Sequence, residues 1–192
     1  MDIIIGILLS TRLFTFLAGG LTPGDVPASL SAPQIAVREH RLVLSCTVLH
    51  GFPTQLRHVA ESATPIYLYL FTELHRPGET DAILSAATES VLLYDDIARV
   101  YKVKQSTQSD TVVCSTLDSA IDAMSMFRGS TLTGTEKLDP AAKYEFVLYA
   151  VLGKTRVEAL DGKEVDLMYY WNYKRPMVRT EACRGALLMG RK

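Results

Sequence analysis

The residues with the widest chemical repertoire in this 192-residue chain are four histidines, three cysteines and two short acidic runs. Nucleophilic hydrolysis needs a serine or cysteine supported by a histidine and an orienting acid. No Gly-x-Ser-x-Gly elbow occurs, and no cysteine stands beside a histidine in sequence. His40, His50, His58 and His75 fall in a turn, at a strand end, on a helix and beside a turn. Each reads as a surface residue rather than a base. No two have the His-x-x-x-His spacing that puts a pair of imidazoles on one helical face, so no metal site is expected. Asp95 and Asp96 are adjacent, and on a strand they would point to opposite sides. A turn between two strands accounts for them without chemistry. The run Asp161-Gly162-Lys163-Glu164-Val165-Asp166 lacks the ligands of a twelve-residue calcium loop, and no phosphate-cradling glycine loop is present. The expectation is a protein that is not an enzyme, with no catalytic residue, no metal and no cofactor. A hydrolase assembled from distant residues is the remaining enzymatic reading.

Binding is better equipped than catalysis. Tyr67, Tyr69 and Phe71 share one face of an alternating strand, and Tyr169, Tyr170, Trp171 and Tyr173 cluster near the C-terminus. Aromatic side chains anchor interfaces because they bury large areas at low entropy cost. The second set, Tyr169, Tyr170, Trp171 and Tyr173, is the candidate partner-binding surface. The competing reading for both sets is core. Formal net charge is −1, and without residues 1–33 the acids and bases balance. Such a domain has no electrostatic footprint for phosphate backbones, so nucleic acid is not an expected partner. The basic cluster of Lys174, Arg175, Arg179 and Arg184 is broken by Pro176 and Glu181 and reads as a solvated face.

The elements that would position these residues begin after an apolar leader. Residues 3–9 and 13–21 are apolar runs divided by Arg12, too short and too interrupted for a clean membrane span. They suit a signal peptide, with Ala18-Gly19-Gly20 as the small-residue cleavage site or Val26-Pro27-Ala28 as a later one, although Asp2 stands where a base is usual. Residues 1–21 are therefore expected to be a signal peptide or N-terminal anchor, 22–33 a linker, 34–180 a single domain and 181–192 a flexible tail. In an oxidising compartment Cys46, Cys114 and Cys183 allow three pairings. Cys46 shares a face with Leu42, Leu44 and Val48 and reads as a small buried apolar residue.

Within the domain, residues 42–49 and 66–75 alternate with a period of two, while 82–94 and 97–104 read as further extended runs and 144–152 as another strand. Leu56, Val59, Ala60 and Ala63 form one stripe of a helix of about three turns. Leu117, Ala120, Ile121 and Met124 form the stripe of a second helix, capped by Ser115 or Thr116. Residues 128–137 read as a loop. Two strands flank Asp161-Gly162, the second carrying Val165, Leu167, Tyr169, Trp171 and Tyr173 on one face. Short connections favour antiparallel pairing. The expected class is α+β, a mainly antiparallel, sandwich-like β-sheet with two short packed helices.

Leu92, Tyr94, Ile97, Arg99, Tyr101 and Val103, followed by Leu138, Tyr144 and Trp171, give this order of elements a distinctive spacing. It resembles a family of exported bacterial proteins catalogued as domain-of-unknown-function family 4390. The sequence differs from that pattern after Pro77, where Asp81-Ala82-Ile83-Leu84 replaces a Trp-rich segment. The resemblance implies an extracytoplasmic domain, periplasmic or envelope-associated, with no known activity. Its implied partners are envelope or membrane-associated proteins, with peripheral membrane association through the N-terminus. The alternative function is a small-ligand or lipid carrier using an aromatic-lined pocket between sheet and helices.

Overall fold

Strand periodicity governs most of the chain, and a computed structural model describing residues 26–38, 41–157 and 162–190 shows how the strands combine. The expected leader, residues 1–21, and His40 lie outside the described residues. In chain order the first elements are β1 (Ser29–Leu30), β2 (Gln34–Arg38), β3 (Arg41–Leu49) and helix α1 (Thr54–Ala60). Next come β4 (Ile66–His75), β5 (Leu84–Asp95), β6 (Val100–Gln105), β7 (Val112–Cys114), helix α2 (Leu117–Ser125) and β8 (Met126–Leu132). The chain continues through β9 (Lys143–Leu152), β10 (Lys154–Val157), β11 (Lys163–Asp166), β12 (Met177–Arg179), β13 (Cys183–Arg184) and helix α3 (Gly185–Leu188).

β3 pairs with β1, β2 and β8 to make a small sheet, and β12-β9-β4-β5-β6-β7 make a large one, with β13 added to β9. Every pairing is antiparallel among the described residues. The architecture is the α+β class expected from the pattern. β4 is bonded along both edges, to β5 and to β9. Its inward row, Ile66, Leu68, Leu70 and Leu74, meets Leu42, Leu44, Cys46 and Val48 of β3 in one contiguous core, which α1 and α2 join through Leu56, Val59, Leu117, Ala120 and Met124.

Buried polar groups tie the layers together instead of interrupting them. The Thr88 and Ser130 hydroxyls lie 2.6 Å apart between β5 and β8. The Gln105 side-chain amide donates to the carbonyls of Ala123 and Met126, at 3.1 and 2.9 Å, fixing β6 to the α2–β8 junction. Such groups stabilise a core only when satisfied, and these are. Thr116 is the cap of α2, its hydroxyl oxygen accepting from the Ser119 amide at 3.3 Å. An Arg57–Asp118 ion pair links the two helices. All three thiols are unpaired, and burial pushes the Cys46 thiol up.

Four expectations are corrected. α1 stops at Ala60, and Ala63 is exposed at φ 55°, because the chain turns there ahead of Pro65. Residues 128–137 are not simply a loop: β8 runs to Leu132 and buries Phe127, Ser130 and Leu132. Gly129 is a bulge at φ 79°, so that Leu44 faces Ser130 while Ser45 faces Arg128. The extra residue breaks the period of two that would have marked a strand. The expected linker is partly ordered, since β1 pairs with β3 and the Thr47 amide donates to the Ser31 hydroxyl at 2.9 Å.

The expected flexible tail is part of the domain through residue 190. β13 pairs with residues 143–144, and Leu188 is 5% exposed. Gly185 sits so close to the Asp139 carbonyl and the Tyr144 ring that a Cβ there would have no room. Leu188→Ala should therefore lower unfolding free energy by about 2–5 kcal/mol. Urea denaturation checks this, and an unchanged midpoint would return these residues to the status of a tail.

Candidate binding surface

The four C-terminal aromatics do not form one surface. Residues Leu167–Trp171 are a 3-10 helix, not a strand, started by the Asp166 carboxylate accepting from the Met168 amide at 2.9 Å. Its tighter turn replaces the expected alternation, so Met168 and Tyr170 go inward together with Leu167 and Trp171. Tyr170 is 2% exposed, in edge contact with Tyr169 at 5.7 Å between ring centroids, and burial pushes its hydroxyl up. Trp171 is 4% exposed and donates its indole N–H to the Gly51 carbonyl at 2.8 Å. A Cβ on Gly51 would fall 2.9 Å from the Val48 side chain, so the tryptophan, the glycine and β3 close on one another. Tyr169 is half-buried and only Tyr173 is exposed. Tyr170 and Trp171 are core, which corrects the expected contact surface.

The other aromatic set stands where an interface needs it. β4 alternates, so Tyr67, Tyr69, Phe71 and Glu73 point away from the core, onto the outer face of the large sheet. The register places Tyr149 of β9 opposite Phe71, and the two rings stack at 5.0 Å with 11° between planes. Tyr69 lies 6.3 Å from Phe71 on the other side. Val151, Val91 and Ala87 occupy neighbouring positions across the strands. All four rings are half-buried, and none belongs to the hydrophobic core or packs against it. Gly153 allows the arrangement, because a Cβ there would fall 2.8 Å from Tyr67 and 2.9 Å from the Tyr69 ring.

The carboxylates among these rings are already engaged. The Tyr149 hydroxyl donates to Glu73 Oε1 at 3.1 Å, and His75 Nε2 donates to Glu73 Oε2 at 2.9 Å. Glu89 accepts from the Tyr69 hydroxyl. Desolvation, reinforced by the neighbouring carboxylate, pushes both tyrosine hydroxyls up. Arg175 lies over the Tyr149 ring, 6.0 Å from its centroid. His75 is 6% exposed, which corrects its reading as a surface residue: its strand extends to the edge of the turn and β9 covers it. His50 and His58 are exposed. Among the described residues no three metal-ligating side chains converge.

The sequence signal for Tyr67, Tyr69 and Phe71 is visible in their alternation. That for Tyr149 is not, because its partnership depends on a cross-strand register that no single segment encodes. If Trp171 is a core lock rather than a contact residue, Trp171→Phe leaves the Gly51 carbonyl unpaired and should cost about 1–3 kcal/mol. A denaturation midpoint equal to that of the wild type would contradict the lock.

A family model described as a domain of unknown function, DUF4390, matches residues 27–157. No curated protein and no solved structure matches the chain. The matched span contains β4, β5, β6 and β9, and so all four outer rings, whereas residues 169–173 lie beyond it. The chain belongs to the DUF4390 family.

Proposed function

We propose that this is a non-enzymatic, exported domain of the cell envelope that binds another protein through the outer face of its large sheet. The observation that carries the reading is the row of Tyr67, Tyr69 and Phe71 on β4, the strand held from both sides, with Tyr149 beside them on β9, all half-exposed and outside the core. Stiff aromatic side chains on a rigid platform lose little entropy on binding, so their contact area converts efficiently into affinity. The apolar leader and the family resemblance support the envelope location.

The carrier alternative calls for a pocket between sheet and helices. There Leu56, Leu92, Ala120 and Met124 pack with 0% exposure, which favours the interaction reading. A stoichiometric lipid in an organic extract of purified protein would favour the carrier instead.

A photocrosslinking residue at Ala87, exposed beside the rings, should trap in intact cells the protein that co-purifies with the chain. The Tyr69→Ser/Phe71→Ser variant should lose about 1–2 kcal/mol of stability, since both rings are only half-buried. It should weaken that complex about tenfold or more. A variant that folds and keeps its partner overturns the surface. The intact mass of the native protein in fractionated cells checks the location, because a full-length cytosolic form would remove the envelope from the proposal.

A further inference from the structure

The outer face of the small sheet holds a cavity of about 690 Å³, on the far side of the core from the ring row. It is lined by Val43, Ser45 and Thr47, the half-buried residues that alternate along β3 with buried Leu42, Leu44 and Val48. The register sets Gln34 of β2 and Arg128 of β8 on either side of Ser45, so three polar residues form one row across the sheet. Arg38 of β2 brings a second guanidinium to the lining.

Arg128 belongs to that row because of the bulge. Ser130 and Leu132 point to the core, and strict alternation would turn residue 128 inward with them. The extra residue, Gly129 at φ 79°, reverses the phase, so that Phe127 is buried and Arg128 is exposed. Glycine takes that conformation without strain but weakens a strand interior. The sheet thus gives up regularity at the point where an arginine is delivered to the cavity.

The charge there is unbalanced. Neither Arg38 nor Arg128 has a carboxylate partner among the described residues, and no described aspartate or glutamate lines the cavity. Arg38 also stands directly opposite Arg41 across the β2–β3 hairpin, a like-charge pair that is destabilising by itself. The Gln34 amide and the Ser45 hydroxyl add neutral donors beside the two guanidinium forks. Two uncompensated cations and several donors match a doubly charged oxyanion. A phosphate monoester has nearly two negative charges at neutral pH and three acceptor oxygens, whereas a carboxylate has one charge and two oxygens. The cavity is in the size range that takes a small organic ligand, so the phosphate arrives on a larger body.

We propose that this cavity binds a phosphate monoester, carried either by a soluble molecule or by a lipid head group. Arg38 and Arg128 pair with the phosphate, and Ser45 and Gln34 donate to its oxygens or to the body that bears it. The site goes beyond the protein-binding reading and does not depend on it.

The test is an amide NMR titration of the full chain in about 0.1 M sodium chloride, where attraction between distant exposed charges is largely screened. Glycerol phosphate is the monoester probe and glycerophosphocholine the diester. The monoester should shift the amides of Ser45, Thr47 and Arg128 saturably with a Kd of about 2 mM or tighter, and bind about fivefold or more tightly than the diester. Arg38→Gln and Arg128→Gln should each weaken it about fivefold or more, while Arg175→Gln, on the ring-row side, leaves it unchanged. All three side chains are exposed, so the remainder of each spectrum should match the wild type. No saturable shift at these amides up to about 10 mM, equal binding of the diester, or equal weakening by all three substitutions overturns the proposal. Phosphatidylcholine vesicles containing phosphatidic acid identify the source. Vesicle binding that is lost in Arg128→Gln assigns a lipid head group. Glycerol phosphate binding, with vesicle binding absent or unaffected by Arg128→Gln, assigns a soluble ligand.

Discussion

The two-sided pairing of β4 is the constraint on which the rest of the molecule depends. A strand bonded along both edges is unable to twist away from its neighbours, and a slip of one residue would exchange its two faces. Ile66, Leu68, Leu70 and Leu74 must therefore face the same way, and Tyr67, Tyr69 and Phe71 the opposite way. The small sheet and the two longer helices cover the leucine side, where the core forms. The rings of the aromatic side are no part of that core, and the same alternation that builds the interior leaves them in a row outside it.

The polar residues of the interior show how the layers are kept in one arrangement. Thr88 with Ser130, and Gln105 with the α2–β8 junction, are directional bonds within an otherwise non-directional core. Any sliding of the small sheet over the large one would break them and leave buried groups unpaired. Trp171 acts similarly at the end of β3, where its indole N–H reaches Gly51 across the packed ring. A platform held in this way presents its outer rings in fixed positions. Glu73 and Glu89 stay there because tyrosine hydroxyls, with His75 in the case of Glu73, satisfy them.

What can be read from the sequence is what local periodicity encodes. β4, β9 and the buried stripes of α1 and α2 follow from apolar spacing, and the Asp95-Asp96 turn is where the spacing puts it, with the Asp95 carboxylate accepting from the amides of Ile97 and Ala98. Those bonds, with Lys102 beside them, hold the Asp95 carboxyl below its usual range. Features set by tertiary structure are not legible. Gly129 hides β8 by inserting one residue, and Leu167–Trp171 imitates a strand while folding as a 3-10 turn. The segment beyond residue 180 looks like a tail until β9 supplies its partner and Tyr144 its packing surface. The stacking of Tyr149 on Phe71, and the burial of His75, require a register between residues 70 or more positions apart in sequence.

The central claim is that the outer rings are uncovered in the isolated chain and covered by a partner in the cell. Hydroxyl-radical footprinting of Tyr69, Phe71 and Tyr149, compared between purified protein and native envelope fractions, tests this most directly. The account predicts oxidation of all three in the purified protein and strong protection in the envelope, with exposed Tyr173 as the internal reference. Equal oxidation of the three rings in both preparations would contradict it.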